Sequence, residues 1–122
     1  MVRVGIIGCG NIGGVHAMVL NEIEEVSLCA LADNRLERAE EYSARFTGRK
    51  AKAYGSMEEM LEKEELDVVH ICTPHHCHVP MASDALKKGL HVFMEKPPAI
   101  SREQFNELLR VSDQSRGRLG IC

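Results

Sequence analysis

The glycine spacing near the N-terminus constrains this chain more than any other feature. "GIIGCGNIGGVHA" sets Gly8, Gly10 and Gly13 in G-x-G-x-x-G, directly after an apolar run at 2–7 and at the start of a helical pattern. Chemistry accounts for the spacing. Gly8 allows a tight strand-to-helix turn, Gly10 lets a pyrophosphate approach the backbone, and Gly13 lets the helix pack close to the sheet. Asn11 and Ile12 open that helix, whose first N–H groups and positive dipole end suit phosphate. The next apolar run, 26–32, ends at Asp33 in "CALADNR". Its carboxylate suits ribose hydroxyls and repels a 2′-phosphate, which favours NAD over NADP. Asn34 and Arg35 follow it. Arg35 keeps NADP open, because an arginine there accommodates the extra phosphate or stacks on adenine. Two other outcomes remain: a glycine turn with no ligand, Asp33 then acting as a helix cap, and a flavin or S-adenosylmethionine site on a similar turn.

The rest of the chain repeats strand and helix. Runs at 2–7, 26–32, 67–72 and 90–94 are short and rich in valine, isoleucine and leucine, with a weaker one near 51–54. Such runs read as parallel strands buried on both faces. Ile12, Val15, Val19, Leu20 and Ile23 form one apolar stripe of a first helix. Residues 35–46 read as a second. Ser56 with Glu59, and Ser101 with Gln104, are capping boxes that open two more. Pro80 suits the first turn of a helix running to about Lys88, with Gly89 as its stop. The predicted fold is α/β, a doubly wound parallel sheet in one domain over 1–122. "GRLGIC" looks like the start of a further strand, so the chain is expected to be a piece of a longer protein.

Composition excludes several classes. At 44% apolar residues the chain builds a core. A net charge of −3 with mixed signs gives no call for nucleic acid or an anionic membrane. No apolar run nears the roughly 20 residues that span a bilayer, and no signal-peptide pattern opens the chain. Five cysteines without a CxxC suit a reducing, cytoplasmic setting.

Two further stretches carry chemistry. "TPHHCHVP" holds His75, His76, Cys77 and His78, but ligands so close in sequence cannot all reach one ion, and no distant pair completes a tetrahedron. No metal is expected. The loop follows a strand, so it falls at the carboxyl edge of the sheet, where ligands bind in this architecture. His70, inside the strand, reads as a packed histidine, and His91 as no better a ligand. "HVFMEKPPAI" then ends a strand in Glu95, Lys96, Pro97 and Pro98. The prolines fix φ and stiffen the turn, one X–Pro bond of which is expected to be cis. A lysine held so, beside a nicotinamide, orients a substrate hydroxyl or carbonyl and helps move its proton. A strand-ending turn with both charges merely solvated is the plainer alternative.

Taken together, Gly8–Gly13 with His16, Asp33, "TPHHCH" and the run from Ala85 through "ALKKGLHVFMEKP" resemble the Gfo/Idh/MocA oxidoreductases. These are the relatives of glucose–fructose oxidoreductase and inositol dehydrogenase. The resemblance implies a Rossmann-type domain truncated before a second α/β domain. It implies an NAD- or NADP-dependent oxidoreductase acting on a sugar, cyclitol or similar polyol, inactive or nearly so as this chain alone. By the same likeness, the glycine turn binds pyrophosphate and Asp33 the adenosine ribose. Thr73, Pro74, His75 and His78 line the cofactor groove, Glu95 and Pro97 lie at the nicotinamide end, and Lys96 is the catalytic lysine. His75 stands where the family often carries asparagine or another polar residue, which puts a side-chain amide contact there in doubt. The likeness leaves a homo-oligomer open. The reading from another class is a non-catalytic NAD(H)-sensing or scaffolding module.

Overall fold

The computed structural model describes residues 1–122. Six strands form one wholly parallel sheet: β1 (Val2–Ile7), β2 (Val26–Ala32), β3 (Lys52–Tyr54), β4 (Val68–Ile71), β5 (His91–Met94) and β6 (Leu119–Ile121). Their order is β3-β2-β1-β4-β5-β6. The chain therefore winds outward from β1 in one direction, then from β4 in the other. Between β1 and β4 neighbouring crossovers diverge, which opens a crevice at the carboxyl ends of the strands.

Five helices cover the sheet: α1 (Asn11–Leu20), α2 (Leu36–Thr47), α3 (Met57–Lys63), α4 (His78–Lys87) and α5 (Arg102–Gln114). α1 packs on β1 and β2, and α2 on β2 and β3. On the other face α3 lies over β2 and β3, α4 over β4 and β5, and α5 against α4. Each face has its own core. Ile7, Met60, Ile71, Leu86, Met94 and Leu108 sit in the one beneath α3, α4 and α5. Val4, Ile6, Leu20 and Leu31 sit in the smaller one beneath α1 and α2.

The helix ends follow their predicted chemistry. Ser56 Oγ accepts the Glu59 N–H at 3.1 Å, and Ser101 Oγ accepts the Gln104 N–H at 3.1 Å. The return arm of the second box reaches one residue further back, Gln104 Oε1 accepting from Ile100 N–H at 3.3 Å. Pro80 stands in the first turn of α4, and Gly89 follows its cap at φ +82. All five cysteines are free, and Lys96–Pro97 is the one cis peptide.

The expected stripe on α1 is corrected. Of its members only Leu20 is buried, while Ile12, Val15, Val19 and Ile23 are exposed. The packed face is Gly13, Gly14, His16, Ala17 and Leu20. The reason is steric. A Cβ on Gly13 would collide with the Gly8 carbonyl oxygen, so the helix touches the strand-turn backbone there. Only glycine permits that approach at position 13, and Ile12, Val15 and Val19 turn outward.

Candidate functional site: a cleft on the carboxyl edge

A cleft of about 650 Å³ runs along the carboxyl edge of the sheet. Its floor is Ile7, Gly8 and Ala32; its walls are Gly10, Asn11 and Ile12 on one side and Cys72 to Cys77 on another. Asp33, Asn34 and Arg38 close the β2 end, with Gly55, Ser56, Met57 and Glu58 from the β3–α3 turn.

The glycine turn is shaped to leave backbone bare. Gly8 sits at φ +98, a conformation that L side chains rarely adopt, and a Cβ there would meet the Cys72 carbonyl at 2.6 Å. An added Cβ on Gly10 would meet nothing within 4 Å. The space a side chain would take is left open to the cleft. α1 has no side-chain cap at Gly10, so the N–H groups of its first turn keep their hydrogen-bonding capacity for a guest. An anionic group fits this cradle. The Tyr42 hydroxyl braces the turn from α2 by donating to the Gly10 carbonyl.

Asp33 is held at both carboxylate oxygens. Its Oδ2 accepts the Cys9 N–H at 2.8 Å, and its Oδ1 accepts the Arg35 N–H at 2.8 Å. It thus ties the glycine turn to the end of β2. A carboxylate has about four acceptor positions, so capacity remains toward the cleft. Arg35 points elsewhere, to Glu37 at 3.4 Å. Arg38, rather than the expected Arg35, stands on the cleft wall.

Beyond β4 the predicted residues part company. Thr73, Pro74 and His75 line the cleft, as do His76 and Cys77. His78 does not: it is fully buried, its Nδ1 2.8 Å from the Pro97 carbonyl and its Nε2 2.9 Å from the Thr73 carbonyl. It clamps two loops together. Gly13 is likewise buried behind the cleft, packed on Gly8. Glu95, Lys96 and Pro97 stand one strand further along, off the cleft wall. Lys96 is exposed. Glu95 is not turned to the cleft wall but to His16, whose Nε2 lies 2.7 Å from its Oε1. Behind His16 stands His70, Nδ1 to Nδ1 at 2.9 Å, with Phe93 packed against both rings.

Electrostatics sorts these groups. The His16 hydrogen bond holds the Glu95 carboxyl below its ordinary range despite burial. Burial, then the electrostatic effect of neighbouring His16, pushes His70 down to about 4. Burial, then the Asp33 charge, pushes the Cys9 thiol up to about 12, and burial, then Glu95, does the same for Cys72. Neither thiol supplies a nucleophile at neutral pH. No group of three His, Cys, Asp or Glu side chains is arranged to hold a metal ion.

A parallel sheet with a bare glycine turn, an acid closing the next strand and a cleft at the switch point defines a dinucleotide-binding domain. The chain belongs to the oxidoreductase family with an NAD-binding Rossmann fold, whose model matches residues 2–121. It is 32% identical over 123 residues to a glycosyl hydrolase family 109 protein of Shewanella sp. (strain ANA-3), covering 95% of this chain and 27% of the relative. It is 34% identical over 119 residues to dTDP-3,4-didehydro-2,6-dideoxy-alpha-D-glucose 3-reductase of Actinomadura kijaniata, covering 97% and 35%. The WlbA dehydrogenase of Bordetella pertussis, solved with NADH and UDP-GlcNAcA, superposes with a TM-score of 0.90 at 27% identity, over 99% of this chain and 37% of that one. The chain thus spans about a third of the length of these relatives. No helix is long and apolar enough to cross a membrane.

Proposed function

We propose that this chain is the cofactor-binding part of an NAD-dependent oxidoreductase acting on a sugar, cyclitol or similar polyol. One observation carries the reading: the open Gly10 cradle and the Asp33 carboxylate lie on the same cleft. When bound, NAD supplies the hydride acceptor, or as NADH the donor. The chain's own residues bind and orient. The Gly8–Gly13 turn takes the pyrophosphate. Asp33 accepts from the ribose hydroxyls, and its charge disfavours a 2′-phosphate. Arg38 stands beside it as the group through which NADP would be admitted. Cys72, Thr73 and Pro74 lead along the edge toward β5, where Lys96 is free to hold a substrate oxygen and to give or take its proton.

The relatives include a glycosyl hydrolase, a sugar 3-reductase and a dehydrogenase solved with a nucleotide sugar. Sugar-like molecules are common to their names and the net reaction is not. That supports a division in which this part binds cofactor while the remainder of each relative selects the reaction. A cytoplasmic location belongs to the same reading, supported by five free thiols. The mixed charge of −3 supports a small-molecule partner rather than nucleic acid or membrane.

The test is a calorimetric titration of the chain with NADH and with NADPH. Saturable NADH binding, tighter than NADPH, is expected. Preference for NADPH would reverse the Asp33 argument in favour of Arg38, and no binding of either would remove the proposed function.

A further inference from the structure

The turn after β5 lacks backbone support. From Lys96 to Ala99 there is no backbone–backbone hydrogen bond, and the nearest ladder bond is Glu95 N–H to the Ile71 carbonyl at 3.0 Å. Yet the turn is tied on both sides by buried histidines. On one side the Glu95 side chain meets His16 on α1, and His16 meets His70 on β4. On the other, His78 lies between the Pro97 and Thr73 carbonyls, with one N–H to donate between them as a neutral ring and one for each as a charged ring. Lys96 is the exposed residue between the two ties.

The protons of the first tie follow from the partners. An ionised carboxylate only accepts, so His16 Nε2 carries a hydrogen and donates it to Glu95. The Nδ1–Nδ1 contact has room for one hydrogen, from whichever ring supplies it. Both rings charged would set two N–H groups head to head. The chain therefore runs Glu95, His16, His70, each ring fixed by the one before it. Its other neighbours are Phe93, which is neutral, and the Cys122 thiol near Glu95.

We propose that His16, backed by His70, and His78 are positioning residues. They hold the Glu95–Pro97 turn from its two sides and thereby set Lys96 at the nicotinamide end of the cleft. This rests on the cofactor reading above, and it changes the role of two residues. Glu95 serves as an anchor of the turn rather than a cofactor contact, and His78 as a clamp rather than a groove wall.

The experiment compares NADH with ADP-ribose, which lacks the nicotinamide, on the wild-type chain and on His16→Leu and His16→Gln. Ordering one backbone residue only when the ligand binds costs it about tenfold in affinity. His16→Leu should lose about that much for NADH and keep its ADP-ribose affinity within about twofold. His16→Gln, which keeps an N–H for Glu95, should recover most of the loss. Unchanged NADH affinity in folded His16→Leu would overturn the proposal, and so would a parallel loss of both ligands, the mark of a merely structural role. Should His16→Leu fail to fold, His78→Leu takes its place with the same expected split. Backbone order parameters at Lys96 and Ala99 decide the matter without any ligand. They should fall from near 0.85 toward about 0.6 in the variant, and unchanged values would overturn the proposal. If the wild type binds neither ligand, the cofactor reading fails, while the order parameters still judge the positioning.

Discussion

Replacing His70 by phenylalanine should make this chain less sensitive to mild acid. In the folded protein burial and the neighbouring His16 push His70 from 6.5 down to about 4. In the unfolded chain it titrates near the ordinary value. A folded group with a depressed histidine pKa stays neutral while the unfolded state takes up a proton. Its stabilising effect is whole above about pH 6.5 and is lost as the pH falls toward 4. A pKa lowered by one is worth about 1.4 kcal/mol, so the full span is about 3 kcal/mol. Between pH 7.5 and 5 the share lost is about 2 kcal/mol. Glu95 does not confuse this window: its lowered carboxyl gives up its contribution only below the ordinary carboxylate range. Urea unfolding followed by far-ultraviolet circular dichroism suits a chain without tryptophan. The wild type should lose about 2 kcal/mol more than His70→Phe between the two pH values. Phenylalanine keeps the ring beside Phe93, and any constant penalty cancels in the difference. Equal losses in the two proteins would refute the reasoning.

Four other outcomes follow from the geometry. Gly10→Leu should fold with an almost unchanged thermal midpoint yet lose NADH binding in calorimetry, because its side chain enters the open cradle; Gly13→Ala should instead be destabilised by about 2 kcal/mol or more in urea, its Cβ driven against the Gly8 carbonyl. Ser101→Ala removes the acceptor of the Gln104 N–H and should cost about 1 kcal/mol in the same urea titration. At pH 8, buried Cys9 and Cys72 should resist iodoacetamide while exposed Cys122, its thiol raised as well by the Glu95 charge, is alkylated faster, as mass spectrometry of the digested chain will report; modification of all three at one rate would contradict the burial of the first two.

What was legible in the sequence was local. The strands are short and bounded by turn residues, and the central ones are largely buried, so their apolar runs mark them within a residue or two. The serine arms of the capping boxes act within three residues and formed as expected, while the Gln104 arm closes on Ile100 instead of Ser101. The glycine turn is legible because each glycine answers a separate steric demand at a fixed offset. α1 misled because hydrophobicity alone does not choose between two helix faces. Gly13, His16, Ala17 and Leu20 repeat at helical spacing as well as the branched stripe does, and close backbone approach decides for the small ones. What remained hidden was long-range. His16 and Glu95 lie 79 positions apart, and His78 meets Pro97 across 19. Sheet order alone brings these pairs together. Ser56 and Glu58 join the site for the same reason, since β3 places its turn beside the end of β2. The signal for Arg38 over Arg35 was helical phase: Arg35 caps α2, while Arg38 lies one turn into it.

The proposed function places a dinucleotide across the carboxyl edge, adenosine at Asp33 and nicotinamide toward β5. Mapping backbone amide shifts of the isotope-labelled chain on adding NADH puts that placement to the test residue by residue. The largest changes are expected at Gly10 to Gly13, then at Asp33, Asn34 and Thr73, with Glu95 and Lys96 responding to NADH and not to ADP-ribose. Changes confined to the far side of the sheet, around Leu86, Val111 and Arg116, with the glycine turn silent, would contradict it.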